Sequence, residues 1–338
     1  MRRAIIIFLP LVAMLALTWG RSPLPAEHNG LRIRVTPLAM PPQRILARYL
    51  GPFRFEGGWQ LQSRNSQFYG YSSMVPQPDG RILALNDAGG YLAFSPPGHA
   101  PSPPRAGEIV FNEDRGGKLY RDVESVAYDP ATRRYWLGLE GNNQIVRLDA
   151  HLAEEKRVAP RTMQEWGINT GAEAMARLRD GRFVVIRETT RSLFDSRLHE
   201  AVLFDGDPAE HPDGHRFLFD GPDNFSAVDM ALLPDGRALI LMRRLLWPLP
   251  MRFAGRIVIA DTAQIRPGKV WHSVPLASLA SVLPVDNFEA IGVVSRPGGK
   301  VTVWLMSDDN KMRQLQRTLL WKLSVDTRRL PWPGHQNP

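Results

Sequence analysis

The sequence predicts an all-β fold: a β-propeller of four-stranded blades that closes by pairing strands from its two ends. Three observations predict it. A turn signal followed by a short apolar run recurs five times in 338 residues. The runs are too continuously apolar for strands with one wet face, and too short and too sharply bounded for helices. The spacing between successive turns is that of one four-stranded blade.

The repeats read QPDGRILALND from Gln77, YDPATRRYWLGLEGN from Tyr128, LRDGRFVVIRE from Leu178, LPDGRALILMRR from Leu233 and SRPGGKVTVWLMSDDN from Ser295. Asp-Gly favours tight hairpin turns that need positive φ, and a preceding Pro starts the turn. Apolar residues also precede each turn, as in Ala174-Met175-Ala176 and Met230 to Leu233, so each repeat holds a buried hairpin. Turn centres near 79, 131, 180, 235 and 298 lie about 50 to 63 residues apart. Weaker strands between them, such as Gln144 to Leu148, Ala201 to Asp205, Arg256 to Asp261 and Val270 to Val274, supply the outer halves of blades. The run Thr318 to Val325 is expected to pair with strands drawn from Arg44 to Gln62, closing the ring. Five blades fit the count, with six as the alternative.

The ends of the chain lie outside this pattern. Met1-Arg2-Arg3 followed by the apolar stretch Ala4 to Trp19 has the form of a secretory leader. Cleavage is expected after Gly20, with an uncleaved inner-membrane anchor as the alternative. No cysteine is present, which excludes a lipid anchor, disulfides and thiolate metal sites. The expected organisation is a leader over 1–20, an extension over 21–43, one propeller over 44–326 and a tail over 327–338. Localisation is then periplasmic or secreted, with membrane contact only if the leader is retained.

Net charge is +8, and +6 once Arg2 and Arg3 leave. The cationic residues are scattered rather than set in aromatic-interleaved runs, so nucleic acid is excluded as a partner. The carboxylates are not scattered. Glu173 and Glu188 stand equally far before and after Asp180-Gly181, and Glu124 and Glu140 bracket Asp129 to Arg134 in the same way. Ser72 with Asp87, and Glu289 with Asp308 and Asp309, repeat the offset. In the fourth repeat Asp229 comes early and Arg243 stands opposite. Residues equidistant from a hairpin turn are cross-strand neighbours, about 4.5–5.5 Å apart at Cβ. All these groups should therefore meet at one mouth of the central channel, with the Asp-Gly turns at the far end.

Asn86, Asn142, Asn169, Asn224, Asn287 and Asn310 fall in the same layer, as do Arg187, Arg243 and Arg244. Crowded like charges raise one another's pKa and are relieved by a hard cation or by arginine. Ca2+ suits this oxygen-rich set, and Glu124, Glu140, Glu173, Asp229, Glu289, Asp308 and Asp309 are the expected ligands. Turn chemistry alone is the competing account of acids at strand ends.

Segments Asn169 to Ala174, Leu233 to Arg237, Asp286 to Ala290, Ser307 to Asn310 and Gln316 to Leu320 resemble the phytase-like family of bacterial propellers, described as esterase-like activity of phytase. The resemblance runs from about Gly57 to Val325. It implies a propeller and hydrolysis of phosphate or carboxyl esters. Small residues other than glycine, Ser125, Ala174 and Ala290, follow the acids here. There is no Gly-x-Ser-x-Gly elbow or His-Glu-x-x-His helix, so hydrolysis would be cation-assisted. Glu173 or Glu188 would be the general base, and Arg187, Arg243 and Arg244 would bind the anionic part of a small substrate. A monomer is expected. A non-catalytic binding or scaffold propeller with structural calcium, and a lactonase of sugar acids, are the alternatives.

Overall fold

The computed structural model describes residues 30–112, 120–167, 170–192, 195–248 and 251–334. The expected leader and Asn169 lie outside the described residues. The chain enters along strand β1 (Arg34–Pro37), passes through helix α1 (Gln43–Leu50) and runs into β2 (Arg54–Gln62). Blade I is β3 (Tyr71–Pro76), β4 (Ile82–Asn86), β5 (Gly90–Phe94) and β6 (Arg105–Glu108). Blade II is β7 (Val123–Asp129), β8 (Arg134–Leu139), β9 (Gln144–Leu148) and β10 (Glu154–Val158). Blade III is β11 (Ala172–Arg177), β12 (Phe183–Ser192), β13 (Asp195–Phe204) and β14 (Gly214–Asp220). Blade IV is β15 (Ser226–Leu232), β16 (Arg237–Pro248), β17 (Met251–Asp261) and β18 (Val270–Leu279). In blade V, β19 (Asn287–Arg296), β20 (Lys300–Asp308) and β21 (Thr318–Asp326) are completed by β2, with β1 outermost.

The described residues thus form a five-bladed propeller. The ring closes where β2 pairs antiparallel with β21, from Arg54↔Ser324 to Leu61↔Thr318. Residues 43–50 are a helix and not part of the closing strand expected from Arg44 onward. Leu46 and Leu50, four residues apart, share the buried side of α1, while Arg44, Ala47 and Arg48 face solvent. That spacing suits a helix lying on the seam between blades IV and V, where both leucines pack.

The continuous apolar runs have a direct explanation. Alternate residues of one strand pack against different neighbouring blades. In β4, Ile82 and Ala84 join the core shared with blade V, whereas Leu83 and Leu85 join the core shared with blade II. Five such cores fill the five seams between blades. A strand buried on both faces has no need of polar alternation. At the rim, β14 and β18 pair in parallel between Leu218↔Val270 and Asp220↔His272, joining blades III and IV into one eight-stranded sheet.

Two repeated local devices set the register. At one end, Gly80, Gly181 and Gly236 take φ of 83°, 92° and 93°, which the tight turn requires. In these turns Asp79, Asp180 and Asp235 accept from the backbone N–H of Arg81, Arg182 and Arg237 at 3.0–3.1 Å. At the other end, the first strand of every blade carries a β-bulge, with one extra residue at Ser72, Glu124, Glu173, Val228 and Glu289. A bulge breaks the pleat and re-aims a side chain.

Candidate functional site

The bulges and the ends of the second strands meet at one mouth of the channel. Three of the five bulged residues are glutamates: Glu124, Glu173 and Glu289. Opposite them stand Asp87 and Glu140, just beyond the ends of β4 and β8, Asp308 at the end of β20, and Glu188 and Arg243 partway along the longer β12 and β16. These residues line a cavity of about 340 Å³ that holds seven carboxylates against two cationic side chains, Arg243 and Lys311. In a chain of net charge +8 this is a concentrated acidic site.

Glu140 is its centre. Carboxylate oxygens of Asp122, Glu124 and Glu140 lie within 4.8 Å of one another, and so do those of Glu140, Glu173 and Glu188. Ca2+ binds oxygens at about 2.3–2.6 Å, so two oxygens on one ion sit at most about 5 Å apart. Both triads meet that limit. Gly171 lets the backbone pass close by: a Cβ there would lie 3.1 Å from Glu140 and 2.6 Å from Asn143 Oδ1. Its N–H donates to Glu140 Oε1 at 3.4 Å.

Burial, and then mutual repulsion, raises the proton affinity of these acids. Burial pushes Glu140 up to about 7, with Glu188 adding to the rise. Glu124 rises well above the usual carboxylate range through burial and the charges of Glu289, Asp122 and Glu140. Glu173 rises well above it through burial and the charges of Glu124, Glu188 and Glu140. Asp308 is held high by burial and by Glu289 and Asp309. Burial also raises Glu289, against the opposing pull of Arg243. Such a set either keeps protons or exchanges them for a cation. The donors are hard oxygens at cation spacing, so the residues present fit a divalent metal.

Arg243 serves the ring itself. Its guanidinium donates to Glu188 Oε1 at 2.7 Å, to Glu289 Oε1 and to Asn287 Oδ1 at 3.3 Å. Its charge is committed to these acids, whereas Arg244, the next residue, is turned outward. That residue is exposed and lines an adjoining cavity of about 520 Å³, which shares Glu188, Arg243 and Asn310 with the first.

Three residues expected in the mouth lie elsewhere, two of them, Arg187 and Asp229, for one physical reason. Side chains alternate across a strand, so an offset of one residue turns a group to the other side. Arg187, one before Glu188, donates to Thr170 O and Oγ1 at 3.1 Å and to Glu200 Oε2 at 2.8 Å. The bulge of blade IV falls on Val228, leaving Asp229 one residue beyond it. Asp229 accepts from the N–H of Met230 at 2.8 Å and of Ile291 at 2.7 Å, tying blade IV to blade V. Asp309, one past Asp308, accepts from the N–H of Gly70 at 3.2 Å and of Lys311 at 3.1 Å.

Conversely, the site includes residues outside the expected ligand set. Asp87 stands in the mouth, where its repeated offset from the turn puts it. Asp122 lies two residues before Glu124, on the turn side of no hairpin, and carried no signal. Lys311 reaches the mouth through a left-handed backbone, φ 58°, that places its Nζ 3.3 Å from Asp87.

The phytase-like family, described as esterase-like activity of phytase, matches residues 66–311. No curated protein matches the sequence. Among solved structures the chain is similar to Myxococcus xanthus glutaminyl cyclase, at 12% identity, TM-score 0.45, covering 80% of this chain and 95% of that one. It is similar to the β-propeller domain of Myceliophteria thermophila Cps50 (Swd1), at 8% identity, TM-score 0.35, covering 81% and 100%. Kuenenia stuttgartiensis hydrazine synthase is similar at 11% identity and TM-score 0.37 over 71% of this chain, which spans only 57% of that one.

Proposed function

The chain belongs to the phytase-like family, esterase-like activity of phytase, and from that premise we propose that it is an exported, cation-assisted hydrolase of anionic phosphate or carboxyl esters. The observation that carries the reading is Glu140, shared by two carboxylate triads, within each of which the oxygens fall close enough to share a calcium-sized ion. Asp122, Glu124 and Glu140 would hold the cation. When bound, Ca2+ would polarise the ester oxygen and acidify a coordinated water.

The protein's own groups do the rest. Glu173, beside Glu140 and held at raised proton affinity, is the general base that takes a proton from the attacking water. Glu188 is positioned by the Arg243 guanidinium and closes the second triad. Arg244 stands exposed in the adjoining cavity, where a charge-assisted hydrogen bond to the anionic part of the ester orients it. Export rests on the leader-like N-terminal sequence.

The test is a substrate panel with and without chelator. Purified protein should hydrolyse p-nitrophenyl phosphate or p-nitrophenyl acetate in Ca2+, lose activity in EDTA, and recover it on adding Ca2+ back. Glu173→Gln should remove that activity and retain calcium binding. Turnover of a γ-lactone alone would shift the reading to a lactonase. A calcium-dependent gain in stability with no turnover would shift it to a scaffold that holds the ion for structure.

A further inference from the structure

Strands β16 and β17, at 12 and 11 residues, are the longest of the molecule's described strands. Their excess length lifts a hairpin above the mouth on blade IV. Arg243 pairs with Gly255, Arg244 with Ala254 and Leu245 with Phe253 as the hairpin rises. Leu245 and Leu246 are 46% and 44% exposed there, well above the buried apolar residues of the same strand. Across the gap, on the loop after β20, Leu315 is 39% exposed.

Leu245 and Leu315 line cavities that neighbour the acidic site. The first cavity shares Glu188, Arg243 and Asn310 with the second, whose wall includes Leu245 and Phe253. Phe253, itself largely buried, also borders a third cavity, of about 620 Å³, where Leu283, Pro284 and Leu315 stand among Arg252, Asp286 and Arg317. Arg244 and Arg252, both exposed, flank the apolar segment on the two strands of the hairpin. Apolar wall is absent from the carboxylate cavity and begins only beyond it, where it is bordered by arginines. A wholly polar anion would leave that apolar wall unused.

We propose that the substrate is an amphiphile: an anionic ester whose head enters the carboxylate mouth and whose hydrocarbon tail lies along Leu245, Phe253 and Leu315. The proposal rests on the cation-assisted reading for the head and on the exposed hairpin for the tail. Burying a methylene fully tightens binding about fourfold; against a wall open on one side, about twofold per methylene is expected.

The experiment is isothermal titration calorimetry with alkyl phosphates from ethyl to octyl, each with Ca2+ and with EDTA. Affinity should climb about twofold per methylene. The double variant Leu245→Ser/Leu246→Ser should flatten that climb. Val274→Ser, an exposed apolar position on outer strand β18, should leave it intact. Equal affinity at every length, a climb unaltered in the double variant, or no binding by any member of the series overturns the proposal. A climb that survives EDTA keeps the amphiphile and sinks the cation; binding that needs Ca2+ but ignores chain length does the reverse.

Discussion

Removing the Arg243 guanidinium should expose how much of the mouth's stability depends on charge balance. Its partners Glu188 and Glu289 have side chains 15% and 11% exposed. Breaking a buried ion pair by deleting one partner costs about 3–5 kcal/mol, because a charge is left without a counter-ion in a poorly solvated place. Residual exposure of this pair brings the figure for Arg243→Met to about 2–3 kcal/mol at pH 8. With a urea m-value of about 3 kcal/mol/M, the unfolding midpoint should fall by about 0.7–1 M. The pH dependence is the sharper test. Burial raises the folded-state pKa of Glu289, and Arg243 opposes that rise. In the variant the pKa therefore climbs further above its unfolded value. The folded variant then binds more protons than the unfolded chain between those two values, so its stability rises as pH falls. The deficit against wild type should shrink between pH 8 and pH 5, measured by urea titration in chelator. An equal deficit at both pH values would refute the argument, since loss of packing alone does not titrate.

Three further outcomes are expected. Ca2+ at a hundred times its dissociation constant should add about 2.7 kcal/mol, or roughly 5 °C in Tm, and Glu140→Gln should abolish most of that shift because both triads lose a member; a full shift in the variant would remove Glu140 from the cation site. Glu140 titrates at about 7, so Ca2+ must displace its proton below that pH. Affinity should rise from pH 6 to 8, with proton release visible as a dependence of binding heat on buffer ionisation enthalpy; a pH-independent affinity would contradict it. Asp229→Ala orphans the N–H groups of Met230 and Ile291 and should cost about 2–4 kcal/mol by denaturant unfolding. Its calcium shift should remain intact, and loss of that shift would return Asp229 to the ligand set.

The expected fold and part of the expected site were legible for a common reason. Asp-Gly turns, seen in sequence, mark the closed end of a hairpin, and counting outward from them finds the open end. Glu124 with Glu140, and Glu173 with Glu188, were paired in this way, and the structure brings each pair within 4.8 Å. The five seams were written in runs such as Ile82 to Leu85, because a strand wedged between two blades must be apolar on both faces.

What lay beyond the sequence was decided by single-residue phase and by backbone that follows no period. Helix α1 replaced part of an expected strand because Leu46 and Leu50 had a seam to fill, and that seam exists only once blades IV and V have met. Lys311 enters the mouth through two successive left-handed residues, Asn310 and Lys311 itself, in a loop. The bulges add one residue to the first strand of each blade, and in blade IV that residue is Val228, so Asp229 becomes a backbone acceptor between blades. Arg187 turns away by the same one-residue step, and Asp309, just past the end of β20, turns to the backbone N–H groups of Gly70 and Lys311. Composition and spacing determine that acids gather at the open ends of the hairpins. Which of them faces the channel depends on where the ladder slips, and a slip is settled by the pairing partner across the sheet.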